Sequence, residues 1–196
     1  MEIADNKLTD YIEVIDDVLP EDTNLKFYKF LQHEDHRFEK AKVQEEQGVP
    51  DRVKEDKRNS SIWWPRQINC SMSECHWTSL LGDTSKKLYS NYCKKKSLQQ
   101  NFNISEISFL KYERGGHYNT FHVDQGKVNR SLSLVFWVNS NFEGGDFKFK
   151  NPANDVEIEI EKKANRAIIF PSNFLFPHKV LPVEKGVRYS VVSWAR

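Results

Sequence analysis

Apolar and polar residues alternate through the second half of the chain, whereas helical spacing is confined to the first half. From Phe102 onward the pattern has the period of two that marks strands with one buried face. Ile107 and Phe109 recur two apart, Phe147 and Phe149 alternate with lysines, and Val156, Ile158 and Ile160 alternate with Glu157, Glu159 and Glu161. Leu132 to Val138, Ala167 to Phe170 and Tyr189 to Trp194 complete the set of apolar runs. Many short strands separated by Gly, Pro and Asn turns predict a sandwich or barrel.

Before Phe102 the pattern differs. Tyr11 to Ile15 alternates as a strand, and Asp16-Asp17-Val18-Leu19-Pro20 turns the chain. Leu25, Tyr28 and Leu31 then recur at helical spacing between Glu21 and about His33, with acidic residues in the first turn. A second helix is expected over about Met72 to Lys95, broken near Gly82, with Lys94-Lys95-Lys96 as its solvated end. Residues 34–60 carry eight acidic and seven basic residues around Gly48-Val49-Pro50, with little apolar periodicity. That composition predicts an exposed, mobile loop, with a lid over a site as the sharper alternative. Trp63-Trp64 follows, for which core packing is the plain expectation and a groove for an extended Pro-rich segment the sharper one. Helices come early and strands late, an α+β order. A length of 196 residues fits one domain with a substantial core.

Charge and cysteines narrow the class. With 29 basic against 28 acidic residues, the chain has no global field to attract a polyanion, so nucleic acid is not a favoured partner. No apolar run is long enough to span a bilayer, and the first residues lack the basic-then-apolar pattern of a secretory leader. Cys70, Cys75 and Cys93 have no CxxC spacing and are expected to be reduced thiols of a soluble, cytoplasmic protein. Cys70-x4-Cys75-His76 lacks the second ligand pair of a structural zinc site.

The candidate chemistry lies in the strand-rich half. His122-Val123-Asp124 places an imidazole and a carboxylate two apart, aimed the same way from a strand or its end. His178 supplies a second imidazole far downstream, and Arg188 follows ten residues later. Two imidazoles and one carboxylate suit non-haem Fe(II), holding one face of the metal and leaving the other open. A guanidinium at a fixed offset can clamp a small dicarboxylate bidentately. Tyr112 and Tyr118 bring hydroxyls near the first ligand, and Gly115-Gly116 lets the backbone turn tightly before it. Gly186 would allow a hairpin that returns Arg188 to the cavity, with Ser190 two residues on along the same strand face. His117 does not fit the ligand spacing and is expected in a supporting polar role.

Residues of about 102 to 196 resemble the prolyl 4-hydroxylase-type branch of the Fe(II)- and 2-oxoglutarate-dependent dioxygenases. The resemblance rests on Tyr112-x-x-Gly115, His122-x-Asp124, Arg130-Ser131-Leu132-Ser133, Gly144-Gly145-Asp146, Phe170-Pro171-Ser172, His178, Pro182-Val183, Gly186 and Arg188-Tyr189-Ser190. It implies a double-stranded β-helix, or jelly roll, over 102–196, buttressed by helices and a charged loop within 1–101. It implies Fe(II) on His122, Asp124 and His178, and 2-oxoglutarate with its distal carboxylate on Arg188. Tyr112 matches the tyrosine that hydrogen-bonds the cosubstrate, Ser190 falls in the RxS match, and Trp194 matches an aromatic near the metal. Tyr118 stands one residue off the family spacing. The implied reaction consumes O2, releases succinate and CO2 and hydroxylates a C–H bond, with ascorbate as an accessory reductant. A prolyl residue in a peptide or protein is the first substrate expected. A free amino acid or small metabolite is the second, and a non-catalytic jelly-roll binding module is the reading from another class.

Overall fold

The long apolar runs of the second half are buried on both faces, which is why they read as continuous rather than alternating. In the computed structural model, which describes residues 7–43, 51–65, 70–99, 102–126 and 129–196, the first elements are β1 (Glu13–Ile15), α1 (Glu21–His33), β2 (Glu39–Lys40), β3 (Arg58–Asn59), β4 (Ser61–Trp63) and α2 (Met72–Lys95). Next come β5 (Ile104–Tyr112), β6 (His117–His122), β7 (Leu132–Trp137), β8 (Glu143–Gly144), β9 (Phe147–Lys150) and β10 (Glu157–Ile160). The chain closes with β11 (Arg166–Pro171), β12 (His178–Val180), β13 (Val183–Lys185) and β14 (Arg188–Ala195). A larger sheet has the order β1-β11-β7-β14-β5-β4-β2, a smaller one the order β10-β9-β12-β6-β3, and β13 pairs with β8. Every described pairing among these strands is antiparallel.

The central strands of the larger sheet feed two cores. Val135, Trp137, Ile168, Phe170, Val192 and Trp194 belong to one cluster together with Phe147, Phe149 and Val180 of the smaller sheet. Their neighbours Leu134, Phe136, Ala167, Ile169, Tyr189 and Val191 join the other, with Phe27 and Leu31 of α1 and Trp77, Leu81 and Tyr89 of α2. Both helices therefore pack on one face of the larger sheet while the smaller sheet covers the other. Phe109 is the hub of the helical layer, 5.3 Å from Phe27 and 5.2 Å from Trp63 between ring centroids.

Helix α1 has the expected bounds, and α2 runs unbroken through Gly82. A Cβ at Gly82 would make only an ordinary contact, 3.8 Å from Ile107 Cδ1. The cost of glycine in a helix is about 1 kcal/mol, and burial of Trp77, Leu81 and Tyr89 on its two sides outweighs it. Ser71 caps the helix, its Oγ accepting from the Glu74 N–H at 3.1 Å. That cap folds Cys70 back onto the first turn, where it is disulfide-bonded to Cys75 with 6.0 Å between Cα atoms. The expectation of three reduced thiols thus holds only for the buried Cys93, and with it goes the thiol argument for a cytoplasmic protein. Among the described residues, no helix is long and apolar enough to cross a membrane.

The charged segment is also more organised than its composition suggests. Its described parts form a 3-10 turn at Asp35–Arg37 and contribute β2 to one sheet and β3 to the other; Gly48-Val49-Pro50 lies outside the described residues. Two largely buried groups pin it: Lys111 meets Asp35 at 2.7 Å, and Glu74 meets Arg37 at 3.0 Å. Charged residues here serve as anchors as well as a solvated face. At the start of the chain, Leu8–Tyr11 is a 3-10 turn and the alternation becomes a strand only from Glu13.

Asp16 ties the end of β1 to the start of β11 through Arg166 at 2.6 Å and Lys163 at 3.0 Å. Hydrogen bonds from those two cations hold its carboxyl well below the usual range, against an opposing desolvation. A carboxyl depressed on folding contributes stability above its unfolded pKa of 3.8, and that contribution fades as pH falls through the folded value. The melting temperature of Asp16→Asn is therefore expected to lie below that of the parent at pH 6 and to converge on it toward pH 2. A gap that stays constant with pH would remove this ion pair from the account.

Candidate metal centre

The centre is built where the ends of β6 and β12 meet. His122 and His178 are direct cross-strand partners, with ring centroids 4.3 Å apart. Asp124 lies just past the end of β6, its Oδ2 3.7 Å from His178 Nε2. One ligand atom from each of the three residues falls within 4.8 Å of the others, so the trio can hold a single metal ion. The Nδ1 of His122 lies 3.0 Å from the Thr120 carbonyl, and that of His178 3.1 Å from the Phe176 carbonyl. A carbonyl only accepts, so each Nδ1 carries the proton and each Nε2 keeps a free lone pair, the tautomer that a metal requires.

Electrostatics favour the same state. Burial and the neighbouring His178 push the His122 imidazole down to about 3. Burial would raise the Asp124 carboxyl, but His178, His122, the Ser133 hydrogen bond and the nearby Trp194 indole outweigh it and hold the group ionised. A neutral imidazole beside a carboxylate is a donor set ready for a divalent cation.

A cavity of about 350 Å³ opens from this trio. All eight residues singled out from the sequence line it: Tyr112, Tyr118, His122, Asp124, His178, Arg188, Ser190 and Trp194. Arg188 starts β14 directly opposite Tyr112 at the end of β5, with its guanidinium 4.8 Å from the tyrosine ring centre. It is 1% exposed, yet its Nε and Nη1 have no hydrogen-bond partner, and neither does the Ser190 hydroxyl. Burial presses the guanidinium below its ordinary pKa, opposed by Tyr112 and Asp146. Unanswered buried donors cost roughly 1–3 kcal/mol each, so a cavity end lined by them fits an anionic ligand and poorly fits none. The Fe(II) and oxoacid pair implied by the sequence resemblance passes this test of fit.

Some placements were not anticipated. Gly186 does turn the chain at φ +80°, but β13 pairs with β8 and β14 with β5 and β7, so the turn passes between sheets and is no hairpin. The Tyr118 ring lies flat on His122 at 3.6 Å and 11°, and the Arg58 guanidinium lies over the same ring at 5.1 Å from its centre. His117 Nδ1 accepts from the Asn119 N–H at 3.2 Å, away from the trio. The tryptophan pair splits: Trp63 is buried in the helical layer, whereas Trp64 is 48% exposed at the cavity, 6.1 Å from Trp194. Arg58 and Arg130 also line the cavity, the first read from the sequence only as part of the charged segment and the second only as the head of the Arg130-Ser131-Leu132-Ser133 motif. Arg130 sits 3.8 Å over the Trp194 ring and pairs with Glu106. Arg58 meets Tyr118 and Arg130 meets Trp194 only through the fold, across some sixty residues of chain, so no sequence spacing marks either contact.

Comparison with known proteins agrees with this geometry. The 2OG-Fe(II) oxygenase superfamily matches over residues 107–196. Prolyl 3-hydroxylase 2 of Homo sapiens is 39% identical over 66 residues, covering 33% of this chain and 9% of that protein. A prolyl-4-hydroxylase of Pseudomonas putida superposes with a TM-score of 0.71 at 23% identity, covering 95% of this chain and 92% of that one. A prolyl hydroxylase of Trichoplax adhaerens, in complex with a hypoxia inducible factor oxygen degradation domain peptide fragment, gives 0.75 at 18% identity over 95% and 84%. The chain spans less than half the length of the curated relatives it matches. The family match covers rather less than half of this chain and takes in His122, Asp124, His178 and Arg188, while the prolyl hydroxylase structures share its fold. Members of that family use Fe(II), 2-oxoglutarate and O2.

Gly145 keeps the cavity wall in place. Its φ is +62°, and a Cβ would lie 3.0 Å from Phe142 and Val183 side-chain atoms and 3.4 Å from Arg188 Cδ. Gly145→Ala is expected to lose about 1–3 kcal/mol, read as a melting temperature several degrees lower. An unchanged melting temperature would mean that this turn is not held in its left-handed form.

Proposed function

We propose that this chain is an Fe(II)- and 2-oxoglutarate-dependent hydroxylase acting on a prolyl residue of a peptide or protein. The observation that carries the reading is one cavity with three metal-ligand atoms at one place and unpartnered buried donors of Arg188 and Ser190 at another. The two facing sheets are read as a double-stranded β-helix over 102–196, with residues 1–101 as its support, in a single catalytic domain.

In this mechanism His122, Asp124 and His178 hold the iron. When bound, the iron with 2-oxoglutarate and O2 supplies the oxidising power that puts one oxygen atom into a C–H bond, with succinate and CO2 as co-products. Arg188 binds the distal carboxylate through the donors that have no protein partner, and Tyr112 and Ser190 orient the same group. Tyr118, stacked on His122, fixes the plane of that imidazole and shields its face from water. Trp194 and Trp64 form the apolar wall on which a proline ring packs. The side chains thereby position the reactants and exclude water around the iron. Ascorbate is assigned as the accessory reductant on the family resemblance.

The deciding experiment is an anaerobic titration with Fe(II) and 2-oxoglutarate, followed by the visible charge-transfer band of the chelated cosubstrate. The parent is expected to show the band, His122→Ala to lack it, and Arg188→Ala to need far more 2-oxoglutarate. A folded parent without a band sinks the reading and leaves a non-catalytic module. Succinate release with proline-containing peptides, and mass analysis of the product, then test substrate and carbon. Trp64→Ala is expected to raise the peptide KM several-fold while leaving the band unchanged; equal KM values would remove Trp64 from the substrate wall.

A further inference from the structure

Behind the proposed metal ligands lies a hydroxyl chain whose two serines fall within the motifs quoted for the resemblance but have been given no role by it or by the mechanism above. Ser133, on β7, donates its Oγ–H to Asp124 Oδ2 at 2.6 Å. Its Oγ is also 2.8 Å from Ser172 Oγ, just past the end of β11. Both serines are sealed in the protein, 0% and 1% exposed. A serine hydroxyl has one hydrogen and two lone pairs. The hydrogen of Ser133 is committed to the carboxylate, so the contact between the two serines is made by Ser172 donating to Ser133. The chain therefore has one direction, Ser172 to Ser133 to Asp124.

Direction and position give it a purpose. Asp124 stands beyond the last residue of β6, so no ladder hydrogen bond of that strand holds its backbone. The terminal torsion of an aspartate is broad and roughly two-fold, which leaves the carboxylate plane undetermined by local structure alone. Ser133 lies on a strand that is buried along its whole length and flanked by β11 and β14. It can fix that plane with the rigidity of the sheet. The backbone binds the same corner together, because the Gln125 N–H donates to the Ser172 carbonyl at 2.9 Å and the Ser172 N–H to the Ser131 carbonyl at 3.0 Å. A neutral donor also leaves the carboxylate its full negative charge for a cation, which a lysine or arginine in the same place would partly neutralise.

We infer that Ser133, oriented by Ser172, is a positioning residue that sets the Asp124 carboxylate for metal binding. The inference rests on the iron-centre reading given above. Outer-shell partners of metal ligands are worth about 10- to 100-fold in metal affinity.

The test uses the full chain with Co(II) alone and with Fe(II) plus 2-oxoglutarate, both without oxygen. Ser133→Ala is expected to bind Co(II) about 10- to 100-fold more weakly and to change the shape of its visible ligand-field spectrum. Ser172→Ala keeps the direct bond but frees the Ser133 hydroxyl to turn, so a smaller loss of affinity with the same spectral change is expected. Circular dichroism and melting curves accompany each variant; if Ser133→Ala does not fold, Ser172→Ala decides the matter. A folded variant with parental Co(II) affinity and spectrum overturns the positioning role while the parent's charge-transfer band stands. Absence of metal binding in the parent overturns both this role and the iron reading.

Discussion

A strand register is the constraint from which the site follows. His122 and His178 face one another across β6 and β12, and a slip of one residue in either strand would send one imidazole to the opposite face of the sheet. The smaller sheet prevents that slip by packing. His178 is simultaneously the partner of Phe149 on β9, and its ring stacks on Phe147 at 5.2 Å and 16°. Phe149 and Phe170 close around it at 5.9 and 5.1 Å. Displacing β12 would expose this aromatic cluster, so hydrophobic burial is what maintains the spacing of the two imidazoles. The bulge between His178 and Val180 falls where β12 pairs with β6, and such irregularities commonly re-aim a side chain beside an active site.

The larger sheet does a different job for the same cavity. β14 carries Arg188, Ser190, Val192 and Trp194 on one face, all of them lining the cavity, and Tyr189 and Val191 on the other, against the helices. Alternation along a single strand thus places a cation, a hydroxyl, an apolar residue and an indole in sequence along one wall. The helical layer makes that wall rigid. Tyr89 of α2 donates to the Ser193 carbonyl at 2.7 Å and is 3.0 Å from its hydroxyl, in a buried setting that drives the phenol pKa far upward. A support helix is therefore hydrogen-bonded to the backbone one residue from Trp194, and its packing determines how firmly the wall is held.

Much of this was legible in the sequence because periodicity reports burial. The exposed edge of β10, with its alternating glutamates, and the doubly buried β7, β11 and β14 gave clear signals, and the His122, Asp124, His178 and Arg188 set could be read from residue type and spacing. What could not be read depended on contacts between distant residues. The bond between Cys70 and Cys75 needs the Ser71 cap to fold the chain back. The continuity of α2 through Gly82 needs the sheet beneath it. Organisation within 34–60 needs Lys111 and Glu74, which lie outside the segment. The split of Trp63 and Trp64 follows from strand geometry, since adjacent residues of β4 and its extension point to opposite sides; only the packed helices decide which of the two is buried.

Two kinds of buried polar group sit within one cavity, and the contrast between them is the deepest physical asymmetry of the molecule. The Asp124 carboxylate is met by the Ser133 hydroxyl, so its charge and direction are defined before any ligand arrives. At Arg188, the Nε and Nη1 donors are left unanswered although the side chain is enclosed on all sides. Stability alone would favour replacing such a group by an apolar one. Its retention at the head of a fully buried strand makes sense if the missing partner is a ligand anion, whose arrival satisfies donors that the fold has already desolvated and fixed. The cost of keeping them unsatisfied is borne by the aromatic and aliphatic packing of Tyr112, Trp137 and Phe147 around the site, which is where the apolar pattern of the second half of the chain finds its chemical purpose.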